Sequence, residues 1–127
     1  MRFLPTRVHG MMDYLMGILL IAVPFLAGFP RGAATWVPVA LGMGAVVYSM
    51  LTDYELGVAG IIPMPVHLGI DAMSGLLLAA SPWLFGFANA VWMPHLILGL
   101  LEVGAALTTQ TVPSHGPGRS SIGGSAV

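Results

Sequence analysis

Two short patterns hold the residues best suited to chemistry. A histidine and an aspartate stand four positions apart at His9 and Asp13, and again at His67 and Asp71. On a helix each pair occupies one face, one side chain above the other. Imidazole is both a metal ligand and a group that titrates near neutral pH. A carboxylate one turn away can ligate alongside it, fix its tautomer or simply accept its hydrogen bond. Two histidines and two aspartates are enough for a metal site, and His9 with His67 could hold a metal or a haem. The plainer reading needs no cofactor: each aspartate bonds its own histidine, or that of the other pair, near a helix N-terminus that favours negative charge. The expectation is accordingly that no cofactor is needed, and no metal is assigned. Whether the two pairs converge depends on the fold.

Glu102 is the fifth member of this candidate polar site. It falls deep in an apolar stretch, where an acid either handles protons or substrate or forms a hydrogen-bonded structural contact, including one across a dimer interface. Tyr48, Ser49 and Ser74 are its candidate partners, and its counterpart in the other half of the chain is Val46. His95 shares its face seven residues earlier but lies ~10 Å away along the axis. Nine methionines read as adaptable packing rather than a copper site. Signatures of enzymes are missing: there is no Gly-x-Ser-x-Gly elbow, phosphate loop or dinucleotide glycine fingerprint. A non-enzymatic role is expected.

The elements that must position these residues are set by composition. Of 127 residues, 57% are hydrophobic and only 7% charged, against roughly 25% charged in soluble domains. Mean hydropathy is +0.90, and the chain reads as an all-α membrane protein. Four Lys and Arg against five Asp and Glu give a net charge of -1, which lacks the basic footprint that nucleic acid requires. The absence of cysteine excludes disulfides, thiolate metal sites and cysteine nucleophiles.

Apolar stretches at 8–29, 34–52, 66–87 and 91–110 predict four transmembrane helices. The basic start followed by the first stretch could resemble a signal peptide, but that stretch is half of a repeat. His9, Asp13, Gly17, Pro24, Gly28 and Phe29 recur 58 residues later as His67, Asp71, Gly75, Pro82, Gly86 and Phe87. The predicted organisation is an N-terminal segment 1–7, a first two-helix repeat 8–52, an interfacial connection 53–65, a second repeat 66–110 and a disordered tail 111–127. Two helices per repeat make the copies parallel, related by an axis along the membrane normal. Both termini then share one face with Arg2, Arg7 and Arg119, opposite Arg31, which predicts a multi-pass cell-membrane protein with cytoplasmic termini. Trp36, Trp83 and Trp92 suit the other interface. Thr35 or Asn89 could cap the second helix of each repeat. Pro24 and Pro82 should each free a carbonyl that a neighbouring helix must cover.

The segment Ser81-Pro82-Trp83-Leu84-Phe85-Gly86-Phe87 resembles the signature of the SPW repeat family of small bacterial and archaeal membrane proteins. The first copy, Val23-Pro24-Phe25-Leu26-Ala27-Gly28-Phe29, keeps the proline, an aromatic residue and the Gly-Phe end. This resemblance implies two-helix repeats in an integral membrane protein and no established activity. The sequence thus favours a small scaffold or accessory subunit in contact with lipid and with a second copy or another membrane protein. A proton-linked or small-molecule transport component using His9, Asp13, His67, Asp71 and Glu102 is the first alternative, and a haem or metal carrier the second.

Overall fold

The computed structural model describes residues 2–113. Four helices account for most of them: α1, Thr6–Leu26; α2, Ala33–Leu51; α3, Met64–Leu84; and α4, Met93–Thr108. The chain is an all-α membrane protein. Its first three helices are long and apolar enough to cross a bilayer, whereas α4 has 16 residues and spans ~24 Å. Leu15, Ile18, Met43, Met73, Leu76, Leu100 and Leu101 point outward from the helices, as a lipid-facing surface requires.

The helices pair as two hairpins, α1 with α2 and α3 with α4, and α2 also packs on α3. Glycines let each hairpin close. A Cβ on Gly42 would stand 2.6 Å from the Gly17 carbonyl oxygen, and one on Gly75 would stand 2.6 Å from that of Gly99. Without side chains here, the backbones approach and gain packing contacts that lipid cannot match.

Helices α1 and α3 begin two residues before the predicted starts and stop three before the predicted ends. The early stop has a clear cause. Gly28 and Gly86 adopt φ of 69° and 77°, and the amides of Phe29 and Phe87 reach back to the carbonyls of Pro24 and Pro82 at 2.8 Å each. This is a Schellman closure with glycine in the left-handed position. Neither Thr35 nor Asn89 caps a helix. Gly32 and Trp92 hold those N-cap positions without a side-chain bond, and the Thr35 hydroxyl donates to the Pro30 carbonyl instead.

The segments before α1 and α3 are exchanged between repeats. Leu4 forms a bridge with Thr109 at the end of α4, and Ile62 forms one with Thr52 at the end of α2. Arg2 donates to the carbonyls of Ala106 and Thr109, covering carbonyls that a helix C-terminus leaves open. The central connection folds back as a cap on the end of α2. Amides of Val58, Ala59, Ile61 and Ile62 bond the carbonyls of Met50 and Leu51. Glu55 accepts both hydrogen-bond contacts from the Thr6 hydroxyl at the start of α1. The starts of α1 and α3 and the ends of α2 and α4 therefore lie at one end of the bundle, here the latch end. The Gly-Phe turns mark the other, the turn end. The expected disordered tail falls almost wholly outside the described residues, as do His115 and Arg119.

Candidate functional site

His9 and Asp13 lie in the first two turns of α1, His67 and Asp71 in the first two of α3. The paired starts of α1 and α3 bring all four together. His9 Nε2 is 2.7 Å from Asp71 Oδ2 and 3.0 Å from Asp13 Oδ1, while His67 Nε2 is 2.9 Å from Asp13 Oδ2 and 3.1 Å from Asp71 Oδ2. The shorter contact of each histidine crosses to the other repeat. The rings meet edge-on with centroids 5.6 Å apart. All four residues are buried, so this polar cluster is removed from lipid.

Each of the four has an outer partner. His9 Nδ1 is 2.7 Å from the Thr109 hydroxyl, and His67 Nδ1 is 2.6 Å from that of Thr52. Those hydroxyls also reach the carbonyls of Ala105 and Tyr48, at 2.5 and 2.6 Å. A carbonyl only accepts, so each threonine gives its one proton there and each Nδ1–H donates to the threonine. Both histidines thus turn Nε2 inward, an assignment fixed by the hydrogen-bond pattern. On the aspartates, Tyr54 donates to Asp13 Oδ2 at 2.8 Å, and Tyr48 donates to Asp71 Oδ1. Burial, with Asp13 beside it, pushes the Tyr54 hydroxyl above its usual pKa, keeping it a donor.

Two Nε2 atoms and two carboxylates in mutual contact need positive charge between them. Two shared protons would supply it, as imidazolium N–H or carboxyl O–H, and so would one divalent metal ion. His9, Asp13, His67 and Asp71 each offer a ligand atom within 4.8 Å of the others. A haem does not fit, since the carboxylates occupy the space between the imidazoles that a porphyrin plane would need.

Symmetry fails at one flank. Gly42 and Gly99 hold equivalent places in their hairpins, as do Thr52 and Thr109 in the cluster, both at a 57-residue offset. By that register Ala105 stands where Tyr48 does, and Glu102 is opposite Ala45 rather than Val46. With the smaller side chain at 105, a cavity of about 30 Å³ remains, lined by His9, Asp13, Asp71, Tyr48 and Glu102 among others. It has room for about two waters at ~10–15 Å³ each. Glu102 is half-buried and comes level with Asp13 because α4 ends where α1 begins. Neither Tyr48, Ser49 nor Ser74 bonds it; Tyr48 is engaged by Asp71, and Glu102 makes no hydrogen bond among the described residues.

A family description, the SPW repeat domain, matches residues 7–109. The chain belongs to the SPW repeat family. No curated protein and no solved structure matches it.

The SPW signature residues lie at the turn end, away from the cluster. Pro82 has no N–H for the Leu78 carbonyl, and the Ser81 hydroxyl takes that carbonyl at 2.7 Å. The serine thus repairs within its own helix what the proline breaks, so no neighbouring helix is needed there. Trp83 is exposed and lies against Trp92, with centroids 6.0 Å apart. Gly86 makes the left-handed turn, and Phe87 packs on His95 at 4.8 Å between centroids. These are terminating and packing roles.

Sequence reasoning missed Thr52, Thr109 and Tyr54. The threonines repeat, but at an offset one residue short of that of the histidines, and Tyr54 has no repeated aromatic partner. Its one signal is position, an aromatic between Asp53 and Glu55 in an otherwise apolar connection.

Proposed function

We propose that this SPW protein is a small non-enzymatic scaffold or accessory subunit of the cell membrane, built as two hairpins latched by His9, Asp13, His67 and Asp71. The observation that carries this reading is the crossing of the latch. Each histidine makes its shorter carboxylate contact with the opposite repeat, and each receives a threonine from the end of the opposite repeat. Such wiring gives a four-helix body a fixed shape, which is what a scaffold contributes to a second copy or another membrane protein. Its apolar outer face contacts lipid. Arg2 and Arg7 flank the latch end and Arg31 the turn end, which supports cytoplasmic termini by the positive-inside rule.

Proton-linked or small-molecule transport is the second reading, and one observation favours it: the cavity that joins Glu102 to Asp71 and His9. Reconstitution of the full-length protein in liposomes holding a pH-sensitive dye separates the two. The scaffold reading predicts that an imposed proton gradient decays at the same rate in vesicles with wild-type protein, with Glu102→Gln and with no protein. A flux abolished by Glu102→Gln or Asp71→Asn overturns it in favour of transport.

A further inference from the structure

We propose that the latch is a binding site for one four-coordinate first-row divalent metal ion of the zinc class, ligated by His9 Nε2, His67 Nε2, one oxygen of Asp13 and one oxygen of Asp71. This rests on reading the cluster as the latch between repeats, and it assigns that latch a ligand.

Three features of the geometry point to an ion. First, the donor set is complete: two imidazole nitrogens and two carboxylates, all buried, offer atoms within 4.8 Å of one another. Imidazole with carboxylate suits zinc and its first-row neighbours better than magnesium or calcium, which favour all-oxygen shells. Zinc bonds of ~2.0–2.2 Å place tetrahedral ligand atoms ~3.3 Å apart. The four nitrogen–oxygen contacts of 2.7 to 3.1 Å engage Oδ2 of Asp71 and both oxygens of Asp13; around an ion they open by about half an ångström, while the remaining pairs of ligand atoms, all within 4.8 Å, close toward the same spacing.

Second, the outer shell is that of a ligated ion. A metal-bound imidazole donates its other N–H to a fixed acceptor, and a ligating carboxylate accepts a further hydrogen bond. Here Thr109 and Thr52 hold the two Nδ1–H groups, and Tyr54 and Tyr48 hold the two aspartates. Every inward lone pair is aimed by a residue behind it. Third, charge and access agree. A dication balances two carboxylates in a site sealed from lipid, where net charge is costly. On binding, the two protons shared by the inward groups leave to solvent, so the charge of the cluster is unchanged. The cavity beside Glu102 reaches His9, Asp13 and Asp71, so an ion would approach the donors past the Glu102 carboxylate along an otherwise mostly apolar wall.

The test uses the full-length protein in mild detergent, stripped with chelator, then dialysed against zinc and analysed for metal, with cobalt as a spectroscopic substitute. The expected result is one ion per chain, saturable, with the strong visible absorption of four-coordinate cobalt. His67→Ala and Asp13→Asn should abolish it. Tyr54→Phe and Thr52→Val keep all four ligands and should weaken binding by about 10- to 100-fold, which guards against misfolding of the ligand variants. Absence of saturable binding overturns the proposal, and so does binding that His67→Ala and Tyr54→Phe leave unchanged. Neither result bears on the liposome flux, so a failure here is distinct from a failure of the scaffold reading.

Discussion

At the latch end of the bundle the repeats meet through two histidines and two aspartates in equivalent positions. At the turn end they meet through one histidine that has no equivalent, His95, packed between two phenylalanines that do. Phe29 stacks on its ring at 5.2 Å and Phe87 at 4.8 Å, while His95 Nε2–H donates to the Ala34 carbonyl at 2.8 Å. That carbonyl is open because Pro38, four residues on, has no N–H. The comparison shows two ways of joining a duplicated chain. A His-Asp pair that can bond its own copy can also bond the other copy across a pseudo-two-fold axis, so duplication creates the latch at once. The turn end instead needed a break in symmetry, a proline in α2 answered by a histidine in α4.

The largest expected effect comes from breaking the latch. Asp13→Ala leaves Tyr54 without its buried acceptor and His67 without the shorter of its two carboxylate contacts, and should cost about 3–5 kcal/mol, read as a shift in SDS-titrated unfolding of the purified protein. If the turn end were the dominant junction, this loss would be no larger than that of His95→Leu. The latter variant leaves the Ala34 carbonyl uncovered and should cost about 1–2 kcal/mol by the same titration. Smallest is Ser81→Ala, which uncovers the Leu78 carbonyl inside one helix and crosses no repeat boundary. It should cost about 0.5–1 kcal/mol. A larger loss at Ser81 than at His95 would mean that local helix repair, rather than contact between repeats, governs the turn end.

Much of this arrangement was legible in the sequence, and the reasons for the remainder are physical. Four helices, two repeats and family membership follow from apolar length, the 58-residue recurrence and the SPW signature. The His-Asp spacing marked four residues that the structure brings into contact, but their convergence depended on α1 and α3 starting side by side. No local pattern encodes that placement. The helix ends were misjudged because the apolar stretch continues through Gly-Phe, where backbone conformation and not hydropathy ends the helix. The partner of the open carbonyl was misassigned for a related reason. The carbonyl opposite Pro82 is served by the adjacent Ser81, while the carbonyl opposite Pro38, a residue without such an expectation, is covered by a neighbouring helix through His95. Tyr54 was hidden in a connection read as an interfacial linker, although its ring is buried and its hydroxyl reaches Asp13. Glu102 was visible as an intramembrane acid, but its neighbours follow from the end of α4 meeting the start of α1.

The crossing of the latch is tested most directly by a double-mutant cycle between His67 and Asp13, using His67→Gln, Asp13→Asn and the double variant in SDS-titrated unfolding. A contact that joins the two repeats predicts a coupling of about 0.5–3 kcal/mol, with the double variant less destabilised than the sum of the singles. Strict additivity would contradict it, placing the two residues in separate environments and leaving each repeat to stand on its own hairpin.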